Sequence, residues 1–178
     1  IPAHVSELRP FFTAARLSPD VVCGNANFMV EDPDGFALGI LSSTMFILWM
    51  RGVGGRLESR LRFSNTFVYN AFPLPEISSQ RRAALIAAAA QLTAAREQFP
   101  EKSLADLYEL GRIPDPVLAA HAAIDKVVDG AFGVKEGASV EDRQRLMLRR
   151  YAALTKQESD PALFEIDAAE SVQKAVLI

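Results

Sequence analysis

The apolar positions change their spacing part-way along the chain. Residues 1–35 mix β-branched and aromatic residues with turn formers, which favours strands at 10–17 and 21–30 with a short turn between them. The segment 36–50 is almost entirely apolar, and Asp34 stands where an N-cap would stand. This pattern predicts a helix that the rest of the fold encloses.

The later part of the chain has the spacing of packed helices. Leu85, Leu92 and Phe99 recur every seven residues in a segment rich in alanine, which is a strong helix former. Seven-residue spacing also occurs in coiled coils, and three positions do not decide between the two. Capping residues and a closing glycine mark the ends of the other helices. The predicted helices lie at 79–99, 103–108, 115–132 and from 139 onward.

A further strand and two prolines separate these two parts. Residues 62–69 are rich in aromatic and β-branched residues, which favours a strand, and Pro73 and Pro75 then end it. We therefore expect an α+β fold. It would have a small mixed strand and helix domain at residues 1–75 and an α-helical bundle at residues 76–178.

A basic stretch lies between the apolar helix and the prolines. Gly52, Gly54 and Gly55 predict a bend that can lie close to a partner. Four arginines in the stretch 51–62 are opposed by one acidic residue, Glu58, which leaves a local charge of +3 in a chain of formal charge -3. Guanidinium, hydroxyl and amide groups suit phosphates and base edges. The candidate DNA-contacting residues are Arg56, Ser59, Arg60, Arg62, Ser64 and Asn65.

A solvated turn explains the same charges without any partner, and both interpretations stay open here. Arg51 directly ends the predicted helix, where a cation is favoured, so we expect it to be structural. The overall charge argues against a nucleic-acid partner, because residues 1–75 are neutral and residues 76–178 carry a net charge of -3. Contact with DNA therefore requires a local patch.

Few other residues have the types and spacing of a catalytic or metal site. Cys23 has no partner for an internal disulfide, fits a reducing compartment and is expected to be packed. His121 has no second histidine or cysteine near it in sequence, so we expect a structural hydrogen bond. Asp125 and Asp129 share a helical face and are expected to be solvated or to cap other helices. Trp49 is expected in the core.

Two further groups could contact DNA but also have structural explanations. Asn25 and Asn27 carry amides that can pair with adenine, although asparagines commonly occupy turns. Arginines of the last predicted helix could contact phosphates or simply form a solvated face; they are Arg143, Arg145, Arg149 and Arg150. The apolar run at 36–50 is shorter than the ~20 residues of a membrane span. No signal peptide is evident.

An ordered set of motifs runs from Gly55 to Pro75. Gly-Arg-Leu, Arg-Phe-Ser, Tyr-Asn and Phe-Pro-Leu-Pro follow one another there, which resembles the end of the target-recognition domain of MmeI-like DNA methyltransferases. Motifs between Ser103 and Gly133 are similar to the helical carboxyl-terminal domain of the same family. Leu74 stands where that family often has Trp, and the tail after Thr155 matches nothing in it.

The resemblance implies methyl transfer from S-adenosylmethionine to the exocyclic amino group of adenine in double-stranded DNA. Many enzymes of that family also carry a nuclease, so the resemblance is compatible with a restriction-modification system. The family's catalytic motif, Asn or Asp followed by Pro-Pro and an aromatic residue, does not occur in this chain. The glycines at 52–55 follow a predicted helix rather than a strand. We therefore expect no catalytic, cofactor-binding or metal residues here, and an upstream methyltransferase domain of the same polypeptide that binds S-adenosylmethionine. A cytoplasmic location is expected.

Two other functions remain as alternatives. The helical part could be a protein-interaction scaffold without direct DNA contact. A free-standing small-molecule enzyme is less well supported, because the chain has two histidines, one cysteine and no grouped metal ligands. The apolar residues beyond Thr155 are expected to dock as one more segment.

Overall fold

The computed structural model describes residues 1–155 of the chain. The predicted α+β class is confirmed within that part. The expected docking of the tail beyond Thr155 lies outside the described residues. Strands β1 to β3 span His4–Val5, Gly55–Leu57 and Arg60–Arg62; helices α1 to α6 span Phe36–Leu41, Thr44–Val53, Ser79–Glu97, Leu104–Leu107, Asp115–Phe132 and Val140–Leu154; a π-helix spans Asn65–Tyr69.

Helix α2 lies at the centre of the fold, as its apolar sequence predicts. Residues 45–50 are all buried, and the helices α5 and α6 pack against it. Trp49 is a core residue, as expected, with its ring centroid 5.5 Å from that of Tyr151 in α6. Its Nε1 donates a 3.0 Å hydrogen bond to the Val68 carbonyl in the π-helix.

The single helix predicted at 36–50 is wrong, because the structure has two helices there. Ser43 is extended and begins α2 as its N-cap, with its hydroxyl accepting a hydrogen bond from the Phe46 nitrogen. The cap predicted for α1 is only partly correct. Asp34 accepts one backbone bond, from the Phe36 nitrogen, whereas the Asp32 carboxylate accepts three, from the nitrogens of Gly35, Ala37 and Leu38.

The strands predicted at 10–17 and 21–30 are also wrong. Both segments are irregular, and Asn27 forms an isolated bridge rather than part of a ladder. The reason is tertiary. In the first segment the carbonyl of Ala14 accepts a 2.7 Å hydrogen bond from the Arg96 side chain of α3, so a helix side chain and not a neighbouring strand satisfies this carbonyl.

The strand predicted at 62–69 is wrong beyond its first residue, because β3 ends at Arg62 and the π-helix follows at Asn65–Tyr69. The Ser64 hydroxyl accepts a 3.1 Å hydrogen bond from the Phe67 nitrogen and caps the π-helix that follows. Val68 is completely buried. The β-branched and aromatic residues of this segment therefore fill the core from a helical turn rather than from a strand.

The helical predictions for the later part are confirmed. Leu85 and Leu92 form the buried stripe of α3, which packs against α5. Helix α5 ends at Gly133, whose φ of 71° is the left-handed conformation of a helix C-cap. Ser139 and Asp142 form the expected capping box of α6.

One hydrophobic core contains residues from both sides of Pro75. A Cβ at Gly39 of α1 would stand 2.7 Å from the Leu85 side chain of α3, so these two helices are in close contact. The division of the chain into domains at Pro75 stays a prediction. Among the described residues, no helix has the length and apolarity that crossing a membrane needs.

Candidate nucleic-acid interface

The candidate DNA-contacting residues lie on or beside a β-hairpin that continues from the end of α2. Strands β2 and β3 pair antiparallel, with Leu57 opposite Arg60. Glu58 and Ser59 form the two-residue turn between the strands. Glu58 has a φ of 57°, a left-handed conformation that costs a residue with a Cβ about 1 kcal/mol.

The sheet that contains this hairpin has one buried face and one exposed face. In the central strand β3, Leu61 is buried, while Arg60 and Arg62 are exposed on the other side. Strand β1 pairs with β3 so that Val5 is opposite Leu61 and His4 is opposite Arg62. Residues opposite each other have their Cβ atoms about 4.5–5.5 Å apart. The exposed face therefore places His4 beside Arg62.

Arg56 lies on the other side of the sheet from Arg60 and Arg62. It is opposite Leu61 in the register, and it reaches solvent because β2 is an edge strand. The sequence grouped three arginines, whereas the structure brings two of them onto one face. A DNA contact of Arg56 stays a prediction and would require DNA to reach round the edge of the hairpin.

The side chains of the two arginines on the exposed face do not bind buried groups of the described part. Arg60 forms a 2.8 Å ion pair with Glu58, and both side chains are largely exposed, at 49% and 77%. Arg62 forms no hydrogen bond or ion pair with any described residue through its side chain. Both guanidinium groups can therefore reach a partner in solvent.

The hydroxyl and amide groups predicted to assist have different environments. Ser59 is exposed in the hairpin turn. Ser64 is half-buried, and its hydroxyl oxygen already accepts the capping hydrogen bond of the π-helix. Asn65 is exposed, and its Oδ1 accepts a 2.9 Å hydrogen bond from the Thr66 nitrogen. Ser64 thus has a structural role, while Ser59 and Asn65 keep donors that face solvent.

Two residues at the end of α2 set the direction of the hairpin. A Cβ at Gly54 would collide with the carbonyl oxygen of Met50, so glycine is required where the chain leaves the helix. Arg51 donates to the carbonyl of Arg9 at 2.7 Å and to that of Glu7 at 3.3 Å. Arg51 is therefore structural, as predicted, although it binds the N-terminal segment rather than its own helix end.

The four arginines of α6 include both structural and solvent-exposed residues. Arg143 forms a 2.7 Å ion pair with Asp129, and Arg150 donates to the Pro73 carbonyl at 2.9 Å. Arg145 and Arg149 are exposed and line an open cleft beside the loop that precedes α6. The structure thus leaves two of the four arginines facing solvent.

The buried titratable groups are engaged with each other or with the backbone. His121 has Nε2 2.6 Å from the Tyr108 hydroxyl and Nδ1 2.9 Å from the Ser42 carbonyl oxygen, so the predicted structural role is confirmed. Burial lowers the pKa of His121 to about 4. Burial also raises the pKa of Asp125, although hydrogen bonds from Thr44 oppose that rise. Both groups are therefore engaged in hydrogen bonds within the fold.

The sequence did not single out His4, which lies 58 positions before Arg62. Its position on the arginine face follows from strand pairing, for which the local sequence around His4 gives no signal. Asn25 and Asn27 are exposed in a loop beside β1, where the Ala3 nitrogen donates to the Ala26 carbonyl at 3.0 Å. A base contact by either asparagine stays a prediction.

Comparisons with known proteins identify both parts of the chain. Residues 1–76 match the family model for the MmeI target recognition domain, and residues 77–158 match the model for the MmeI C-terminal domain. DNA methyltransferase A of Bacillus subtilis (strain 168) is 31% identical over 157 residues, which are 88% of this chain and 18% of that protein. A solved structure of the Type IIL restriction-modification enzyme MmeI in complex with DNA is similar with a TM-score of 0.84 and 36% identity, over 88% of this chain and 21% of that one. The chain therefore spans about a fifth of the length of these relatives.

Proposed function

The chain belongs to the MmeI family, and from this we propose that it forms the DNA sequence-recognition and helical C-terminal parts of an S-adenosylmethionine-dependent, adenine-specific DNA methyltransferase. Double-stranded DNA is the proposed partner, and a restriction-modification system is the proposed context. The printed descriptions of the two relatives, a DNA methyltransferase and a restriction-modification enzyme in complex with DNA, support both points. In this proposal residues 1–75 read the duplex and residues 76–178 support them.

The observation that carries the proposal is the exposed pair formed by Arg60 and Arg62 on one face of the sheet. Arg60 is engaged by Glu58 in an exposed ion pair, and such pairs contribute about 0–1 kcal/mol. A phosphate or a guanine edge can therefore replace Glu58 at little cost. The planar guanidinium groups can each bind such a partner through two hydrogen bonds.

Arg60 and Arg62 stay exposed on one face of the sheet, whereas several other arginines of the described part serve the fold. Their side chains donate to backbone carbonyl oxygens of distant segments, as guanidinium groups with several donors can do. Arginines with such bonds are Arg9, Arg16, Arg51, Arg96 and Arg150. The chain thus separates structural arginines from arginines that point outward. This separation supports local DNA contact in a chain of formal charge -3.

S-adenosylmethionine and the catalytic residues are proposed to belong to a methyltransferase domain outside this chain. The glycines at 52–55 do not fit a cofactor loop, because they follow a helix and Gly54 is required by contact with the Met50 carbonyl. The described residues contain no group of side chains that could hold a metal ion. Enzymes that modify a base take it out of the stack, and we propose that this other domain does so.

Protein contact is a second candidate function, and one surface favours it. Leu17, Val21 and Met29 line one open cleft and are 56%, 46% and 73% exposed. Exposed apolar side chains that lie close together mark protein-binding surfaces. We propose that the upstream methyltransferase domain covers them, which is compatible with DNA recognition. The proposed location is the cytoplasm, which suits the free thiol of Cys23.

Duplex binding by the intact polypeptide at two salt concentrations tests the function. We expect the double variant Arg60→Ala/Arg62→Ala to bind about tenfold more weakly and to show a salt slope smaller by about 1–2. Arg81→Ala/Lys126→Ala is the matched control, because it removes the same charge from exposed helical positions. Equal binding by the two double variants would contradict DNA recognition by the hairpin and favour the scaffold.

A further inference from the structure

One row of residues crosses all three strands on the exposed face of the sheet. His4 of β1 is opposite Arg62 of β3, and Gly55 of β2 is opposite Arg62 on the other side. Arg62 therefore stands between an imidazole and a position that has no side chain. Both neighbours are exposed.

The fold does not require glycine at position 55. The φ of Gly55 lies outside the left-handed range, and a Cβ there would come near the Cβ of Arg62 at 3.9 Å, an ordinary contact distance. Gly54 differs, because its missing side chain makes room for its own helix. A glycine inside a strand weakens the strand and often marks a place where a ligand or another backbone approaches closely.

His4 forms the other side of this row. Its imidazole is exposed and makes no hydrogen bond with the residues that the structure describes. The chain's other histidine, His121, is buried with both ring nitrogens bonded. An imidazole can donate a hydrogen bond from one ring nitrogen, so His4 can act beside Arg62 on the same partner.

We propose that His4, Arg62 and Gly55 form a slot for a hydrogen-bond acceptor group of duplex DNA. Arg62 and His4 donate to the acceptor, and the missing side chain at Gly55 lets the DNA come close to the sheet. This inference rests on the proposed function, because it assigns DNA to the same face. Phosphate oxygens and the O6 and N7 atoms of guanine are acceptors of this kind.

Substitutions at Gly55 test the slot without unfolding the hairpin, because β-branched residues suit a strand. We expect Gly55→Val in the intact polypeptide to weaken duplex binding about tenfold, and Gly55→Ala to weaken it less. The larger the added side chain, the more of the space left by glycine it fills, and the less closely the DNA can approach the sheet. Gly130→Ala is the matched control, because a Cβ at Gly130 in α5 meets nothing within 4 Å. Thermal melts of these variants verify that each remains folded.

His4→Ala removes a donor and is expected to weaken binding about fivefold. Two duplexes of equal length distinguish a phosphate from a base edge as the acceptor. One duplex is selected from a randomised library for binding to the wild-type protein, and the other has the same bases in scrambled order. Weaker binding to both duplexes with a smaller salt slope identifies a phosphate. Weaker binding to the selected duplex alone identifies a base edge.

The slot and the proposed function fail in different ways. Unchanged binding by Gly55→Val and His4→Ala, with weaker binding by Arg60→Ala/Arg62→Ala, would overturn the slot and leave DNA recognition by the hairpin intact. Unchanged binding by all of these variants would overturn both.

Discussion

Asp125 of α5 accepts two 2.6 Å hydrogen bonds from Thr44 of α2, one from the backbone nitrogen and one from the hydroxyl. The residues are 81 positions apart, so the helical part supplies an acceptor that the first turn of α2 lacks. A carboxylate also suits the positive end of a helix. Since α2 carries the hairpin at its other end, this contact helps to set the position of the arginine face.

Removing the carboxylate is expected to destabilise the protein. Asp125→Ala should lower the free energy of unfolding by about 2–4 kcal/mol, because both donors of Thr44 lose their acceptor in a partly buried position. Urea denaturation measures this change. Asp115→Ala is the control on the same helix, with an exposed carboxylate in the first turn and an expected loss below about 1 kcal/mol. Similar losses in the two variants would contradict this role of Asp125.

Stability is expected to fall in acid through His121. Burial lowers the pKa of His121 from 6.5 to about 4, so the unfolded chain binds the proton more strongly than the folded protein. The contribution of His121 is therefore complete above pH 6.5 and is lost as the pH falls toward 4. His121→Gln should remove about 3 kcal/mol from the difference in unfolding free energy between neutral pH and the lower end of that range.

The comparison of wild type with His121→Gln isolates this group. Asp125 acts in the opposite direction, because burial raises its pKa and the folded state then holds the proton more strongly. Both proteins contain Asp125, so its effect cancels in the difference. Parallel stability curves for the two proteins across this pH range would show that His121 does not contribute.

The indole of Trp49 is expected to hold the π-helix in place. Trp49→Phe should cost about 2–3 kcal/mol, because it removes the donor to the Val68 carbonyl as well as part of a buried ring. Hydrogen exchange should become faster at the amides of the π-helix than at those of α3. Uniform acceleration across the chain would instead indicate general destabilisation.

The turn of the hairpin is expected to tolerate, and even favour, glycine. Glu58→Gly should raise the free energy of unfolding by about 0.5–1 kcal/mol, because glycine adopts the left-handed conformation without the steric cost. The lost ion pair with Arg60 is exposed and contributes little. Thermal melts of Glu58→Gly and Glu58→Ala make the comparison, and equal stability of the two would argue against strain at this position.

Local patterns predicted the helices of the later part well. The alanine-rich stripe around Leu85 and Leu92, the closing Gly133 and the capping box at Ser139 each act within one or two helical turns. Interactions over such short distances can be predicted from the types of the residues that are close in sequence. The first part was predicted less well, because its irregular segments are held by side chains from far along the chain, as Arg96 holds Ala14.

The sequence by itself determined the apolar centre at α2, the helical second part and the basic stretch with its family motifs. Tertiary structure alone decided which arginines face solvent together. Strand alternation places Arg60 and Arg62 on one face and Arg56 on the other, and pairing of β1 with β3 adds His4 from the start of the chain. The physical reason is that a side chain's surroundings depend on which strand lies beside it, and that pairing is set by packing over the whole core.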